Sequence, residues 1–116
     1  MTIHEYLREN GYPEHVVREG REGLVRQWRD FVKQVEHGYS LGLEDYRNDL
    51  DARAILAQAG AEDDEVKALD ERLKKHLTAC DQRVWESAPG DHFWDFGYPG
   101  NAGADLLEDL KREKLA

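Results

Sequence analysis

The stretch LEDYRNDLDARAILAQA, residues 43–59, decides how this chain folds, because it reads either as one long helix or as two short ones. On a single straight helix, at about 100° per residue, Leu43, Tyr46, Leu50, Ala54 and Ala57 share one face. Asp45, Asn48, Asp49, Ala52, Ile55 and Leu56 then line the other side, and two large aliphatics point away from the core. That arrangement calls for a partner surface, acidic at one end and apolar at the other. The alternative breaks the helix at RNDLDAR. Asn48 or Asp49 is a preferred N-cap, Asp51 falls in the first turn, and Gly60 closes a second short helix in which Ile55 and Leu56 turn inward. The break satisfies the apolar residues without a partner, and the sequence favours it.

Upstream, TIHE (Thr2–Glu5) has the spacing of a capping box, in which the two side chains satisfy amides that open a helix. A first helix is expected to run to about Asn10 and stop at Gly11. Pro13 suits a first helical position and Gly20 a stop, giving a short second helix or turn. Leu24, Val25, Trp28, Phe31, Val32 and Val35 then recur at helical steps, and Gly38 ends that segment.

Downstream, Val66, Leu69, Leu73, Leu77, Cys80 and Val84 hold a period near 3.5, so the longest helix is expected from Glu62 to about Trp85. EDDE (Glu62–Glu65) places four acids in its first turn, where they oppose the helix dipole. Ser87 to Gly103 reads as a loop by its Pro and Gly content, yet it carries Phe93, Trp94, Phe96 and Tyr98. Those aromatics are expected to form a lid over the helices, the alternative being a binding surface. A last helix runs from about Ala104 to Leu115, with Leu106, Leu107 and Leu110 on one face and Lys111, Arg112 and Lys114 near its end. The expected fold is all-α, a small bundle of about five helices forming a single domain over residues 1–116, with an aromatic-rich loop before the last helix.

Composition narrows function. The 116 residues are long enough for one compact core, and charged residues make up 35%. No apolar run approaches the roughly 18 residues that span a bilayer, and the N-terminus lacks a basic segment followed by an apolar one. Cys80 is the single cysteine, so an internal disulfide is impossible and a cytoplasmic setting is expected. A net charge of -9 argues against a nucleic-acid partner, which needs a concentrated basic face. The acidity is uneven: residues 39–65 hold eight acids against two bases, a net of -6 out of -9.

Chemistry-bearing motifs are sparse. No histidine has an acid three residues before it, as a carboxylate-bridged di-metal bundle requires, and HExxH does not occur. His15 with Glu19, and Asp91, His92 and Asp95, offer two or three ligands each without a spacing that joins them, so no metal or other cofactor is expected. Cys80 falls on the apolar face of the long helix, which suits a buried structural thiol rather than a nucleophile. Thr2, Ser40, Thr78 and Ser87 have no nucleophile-elbow or triad context, and there is no phosphate loop.

The expected function is therefore non-enzymatic: a small acidic cytoplasmic protein that binds a basic protein, in the manner of an inhibitor, antitoxin or immunity partner. Glu44, Asp45, Asp49 and Asp51 would supply the charge, and Tyr39 and Tyr46, if exposed, the anchors. The alternative is a self-associating scaffold, a homodimer that buries the seam of the long helix. A metal-binding or enzymatic helical protein is the third.

Overall fold

Five α-helices and a two-stranded antiparallel ribbon form the described part of the chain, an all-α fold with a small β element. The structure is a computed structural model describing residues 2–79, 83–84, 92–95 and 97–115, apart from the Asp95 side chain.

Helix α1 spans Ile3–Glu9. Thr2 Oγ1 accepts the Glu5 amide at 3.2 Å, the first half of the expected capping box. The chain leaves the helix through Asn10 into Gly11, whose φ is +75°. Helix α2 spans Glu14–His37 and starts behind Pro13. Gly20 is a kink that divides a short first segment, as expected from Pro13 and Gly20, from a longer second one. Its φ of 57° and ψ of -138° lie outside the helical region, and the helix resumes at once beyond it. Leu24, Val25, Trp28, Phe31, Val32 and Val35 are all buried, the stripe expected from their spacing, and the helix ends at Gly38.

The expectation for residues 43–59 needs correction: they form one helix, α3, over Leu43–Gln58. Ile55 and Leu56 need no break to turn inward, because the second half of α3 is enclosed almost all round. From Leu50 to Leu56 every residue except Asp51 is buried. A helix apolar around most of its circumference belongs at the centre of a fold rather than on its surface. Helix α2 packs along α3, and the last helix, α5 (Ala104–Arg112), meets the start of α3, where Asp109 accepts the Leu43 amide.

A second correction concerns the long helix expected to reach Trp85. Helix α4 spans Asp64–Lys74, with Asp63 as N-cap accepting the Val66 amide at 3.1 Å. Strand β1, Leu77–Ala79, follows and pairs antiparallel with β2, Gly97–Pro99, in the register Leu77 to Pro99 and Ala79 to Gly97. The apolar period near 3.5 is carried on across a change of secondary structure, and Cys80 lies outside the described residues. The seam Val66, Leu69 and Leu73 is buried in the chain's own core, so it is not free to zip against a second copy.

A single turn of 3₁₀ helix, Phe93–Asp95, precedes β2. Trp94 is 2% exposed, as a lid residue should be, while Phe93 and Tyr98 are half-buried and Phe96 lies outside the described residues. Helix α5, Ala104–Arg112, buries Leu106 and Leu110. At the centre Trp28 stacks on Phe31 with centroids 5.1 Å apart, and Phe31, Tyr39 and Tyr46 meet at 5.7–5.8 Å. Such pairs add about 0.5–1.5 kcal/mol each beyond the area they bury.

One charged cluster is built into this core. Arg53, on α3, is 2% exposed and donates from Nε and Nη2 to both oxygens of Asp70, at 2.9 and 2.8 Å. Asp70 Oδ1 also accepts the Trp28 indole N–H at 3.1 Å, and Nη2 of Arg53 reaches Glu62 as well. The guanidinium lies 4.5 Å from the centroid of the Trp94 ring. Burial works against the Arg53 charge, but the hydrogen bonds to Asp70 and Glu62 outweigh it and hold the pKa above the ordinary arginine value.

Candidate functional site

The six residues singled out for partner binding separate into two groups. Tyr39 and Tyr46 are buried, at 1% and 0% exposure, so the condition for their serving as anchors is not met in this structure. Each hydroxyl is held internally. Tyr39 donates to Asp49 Oδ2 at 2.9 Å, and Tyr46 to the Gly97 carbonyl at 2.7 Å. Asp49 and Asp51 are half-buried. Glu44 and Asp45, in the first turn of α3, are exposed.

Much of the charge that the sequence leaves unbalanced in residues 39–65 is balanced from elsewhere in the chain. Arg21 and Arg29 of α2 reach the EDDE run: Arg21 pairs with Asp63 and Glu65, and Arg29 with Glu65 at 2.9 Å. Glu62 is taken by Arg53. The amide of Val66 is the main reason that the Asp63 carboxyl is held below its usual range, and Arg21 adds to it. Glu44, Asp45 and Asp64 carry no ion pair among the described residues.

Helix α5 adds acids of its own. Asp109 Oδ2 accepts the Leu43 amide at 3.1 Å, which pins α5 beside the first turn of α3. Asp105, Glu108 and Asp109, three and four residues apart from first to last, share one side of α5. Asp105 and Glu108 are exposed and without an ion pair among the described residues, whereas Asp109 is also engaged by Arg112 at 3.1 Å. Glu44, Asp45, Asp105 and Glu108 are thus exposed acids on two helices that meet where Asp109 accepts the Leu43 amide. The residues of α5 were missed as site candidates because nothing in the sequence places them beside residue 43; the net of -3 over residues 89–116 is the only trace.

Asp49 behaves differently from its neighbours. Burial raises its pKa from 3.8 to about 6; the Tyr39 hydroxyl opposes the shift and Asp45 adds to it. A folded value above the unfolded one means that the folded state holds the proton more tightly. The contribution to stability is complete below about pH 4 and is lost as pH rises through 6. Asp49→Asn keeps an acceptor for Tyr39 and removes this loss. The full shift sets a ceiling of about 3 kcal/mol, and partial exposure reduces the expected gain at pH 8 to about 1–2 kcal/mol. Urea midpoints of the variant and the parent should converge near pH 4 and separate above pH 6; parallel curves would contradict the burial of this carboxylate.

Comparison with protein-family models, with curated proteins and with solved structures finds no match. The functional reading rests on the chain's own chemistry.

The remaining candidates are dispersed. Glu19 pairs with Arg26 at 3.0 Å, His15 is exposed, and His92 stacks on Trp94 at 4.2 Å. No group of three or more potential metal ligands occurs among the described residues, and Asp91 lies outside them. Thr2 caps α1, Ser40 and Thr78 are exposed, and Ser87 is outside the described residues. No described helix is long and apolar enough to cross a membrane.

Proposed function

We propose that this protein works without catalysis, in the cytoplasm, by binding a basic protein through Glu44, Asp45, Asp105 and Glu108, as an inhibitor, antitoxin or immunity-type partner does. The observation that supports this reading is a set of four exposed carboxylates without counter-ions among the described residues, on two helices joined by the Asp109 bond to Leu43. A complementary basic surface supplies those counter-ions, speeds encounter and disfavours wrong partners. Leu41, at 39%, is the one exposed large hydrophobic among the described residues, so recognition through charge fits this surface better than recognition through an apolar patch.

Affinity capture from the source cell is expected to retain a basic protein, with binding that weakens as salt is raised. The double variant Asp45→Lys, Glu108→Lys should bind it at least tenfold more weakly. Losing the acid from the first turn of α3 costs about 0.3–1 kcal/mol of stability, so the fold survives the change. Capture of no basic protein, or unchanged binding by the variant, refutes the reading. Asp49 is unsuited to such a test, because its half-buried carboxylate supports Tyr39 and its reversal would disturb the fold.

A further inference from the structure

A second site is built around the buried arginine. A cleft of about 360 Å³ opens between α4 and the aromatic turn, lined by Arg53, Lys67, Lys74, His92 and Trp94 among others. That volume suits a small molecule. Two nitrogens of side chains that line it are buried and have no hydrogen-bond partner among the described residues: Nη1 of Arg53 and the indole Nε1 of Trp94. Both belong to side chains only 2% exposed. Nε and Nη2 of Arg53 are committed to Asp70 and Glu62, so Nη1 is the one corner of the guanidinium fork left over.

Both orphaned atoms are donors, and neither side chain can accept a hydrogen bond. What fits them is a group offering several lone pairs in a small space. The charge of the lining limits it further. Arg53, Lys67 and Lys74 are matched in number by Glu62, Asp70 and Glu71, of which Glu71 is bound to Lys74 at 3.2 Å. A neutral lining does not favour a multiply charged phosphate. Lys67 has no ion pair among the described residues and stands ready to meet one negative charge.

We propose that this cleft binds a small monocarboxylate, its oxygens accepting from Arg53 Nη1 and Trp94 Nε1 and its charge facing Lys67. The half-buried Phe93, also in the lining, provides an apolar surface for the rest of an aromatic acid. Both nitrogens are buried in side chains that line the cleft, and the other lining side chains Lys67, Glu71 and Lys74 are exposed and turn aside on the nanosecond scale to admit a ligand.

Benzoate is the probe, titrated into ¹⁵N-labelled protein with sodium chloride and benzamide as controls. The Trp94 indole N–H resonance, assigned through Trp94→Phe, is expected to move to a plateau with benzoate, to stay in place with chloride, and to respond to benzamide at least tenfold more weakly. Affinity measured by calorimetry should fall about tenfold in Trp94→Phe and several-fold in Lys67→Gln, an exposed substitution that leaves the fold intact. A shift that never saturates, or equal binding of benzamide, overturns the proposal. So does an affinity that Lys67→Gln leaves unchanged. Phosphate binding more tightly than benzoate would overturn the charge argument as well.

Discussion

Replacing Asp70 with alanine is expected to lower the free energy of unfolding by about 3–5 kcal/mol, the usual penalty for stranding one member of a buried ion pair. For a domain whose total stability is about 5–15 kcal/mol, that is a large share. Asp70 satisfies Arg53 at two nitrogens and Trp28 at the indole, so its removal leaves a cation at 2% exposure with only Glu62, and a buried N–H with no acceptor. Urea unfolding followed by tryptophan fluorescence measures the loss. Asp70→Asn keeps one acceptor for Trp28 and should fall between the two. Joint replacement, Arg53→Met with Asp70→Leu, is expected to recover most of the loss, because a buried pair contributes little beyond what matched apolar side chains provide. A loss below about 1 kcal/mol in Asp70→Ala would mean that Arg53 finds water, contrary to its burial.

Gly20→Ala is the second large effect, with an expected loss of about 2–4 kcal/mol. The backbone at φ 57° and ψ -138° is a region that side chains strongly disfavour, at about 1–3 kcal/mol. An added Cβ would also lie 2.6 Å from Cε1 of His4, whose Nδ1 is 2.6 Å from the Val17 carbonyl oxygen. Pushing the ring aside forfeits that bond, worth about 0.5–1.5 kcal/mol. Gly11→Ala is the comparison. Its φ is also positive, at +75°, but a new Cβ there has nothing within 4 Å, so the loss should be confined to the backbone cost of about 1–2 kcal/mol. Equal losses in the two variants would mean that the contact with His4 adds nothing.

The stripe from Leu24 to Val35 was legible because a helix with one buried face writes its period directly into the sequence. Helix α3 was not, and the reason is physical. A segment buried on nearly every side has no polar face to set the phase, and its acids read as the start of a second helix. The EDDE run was correctly read as a helix start, since Asp63 caps α4, but its counter-charges come from Arg21 and Arg29, more than thirty residues earlier. Only the tertiary fold brings them together. The early end of α4 did leave a signal: Arg72, Lys74, Lys75 and His76 gather where cations favour a helix C-terminus, and the continuing apolar spacing outweighed it in the sequence reading. Of the four exposed acids, Glu44 and Asp45 were visible from charge alone, whereas Asp105 and Glu108 required the bond between Asp109 and Leu43. The unpaired nitrogens of Arg53 and Trp94 have no counterpart in the sequence at all.

The clasp made by Asp109 also has a bearing on how the molecule is made. It meets the Leu43 amide across 66 residues, Asn101 meets the Val35 carbonyl across the same span, and the Gly103 amide closes on the Tyr39 carbonyl. During synthesis, which runs at about 5–20 residues per second, the corner between α2 and α3 emerges several seconds before these partners exist. Its polar groups must stay wet through that interval, so the nascent chain can collapse early but cannot seal the corner until α5 has arrived.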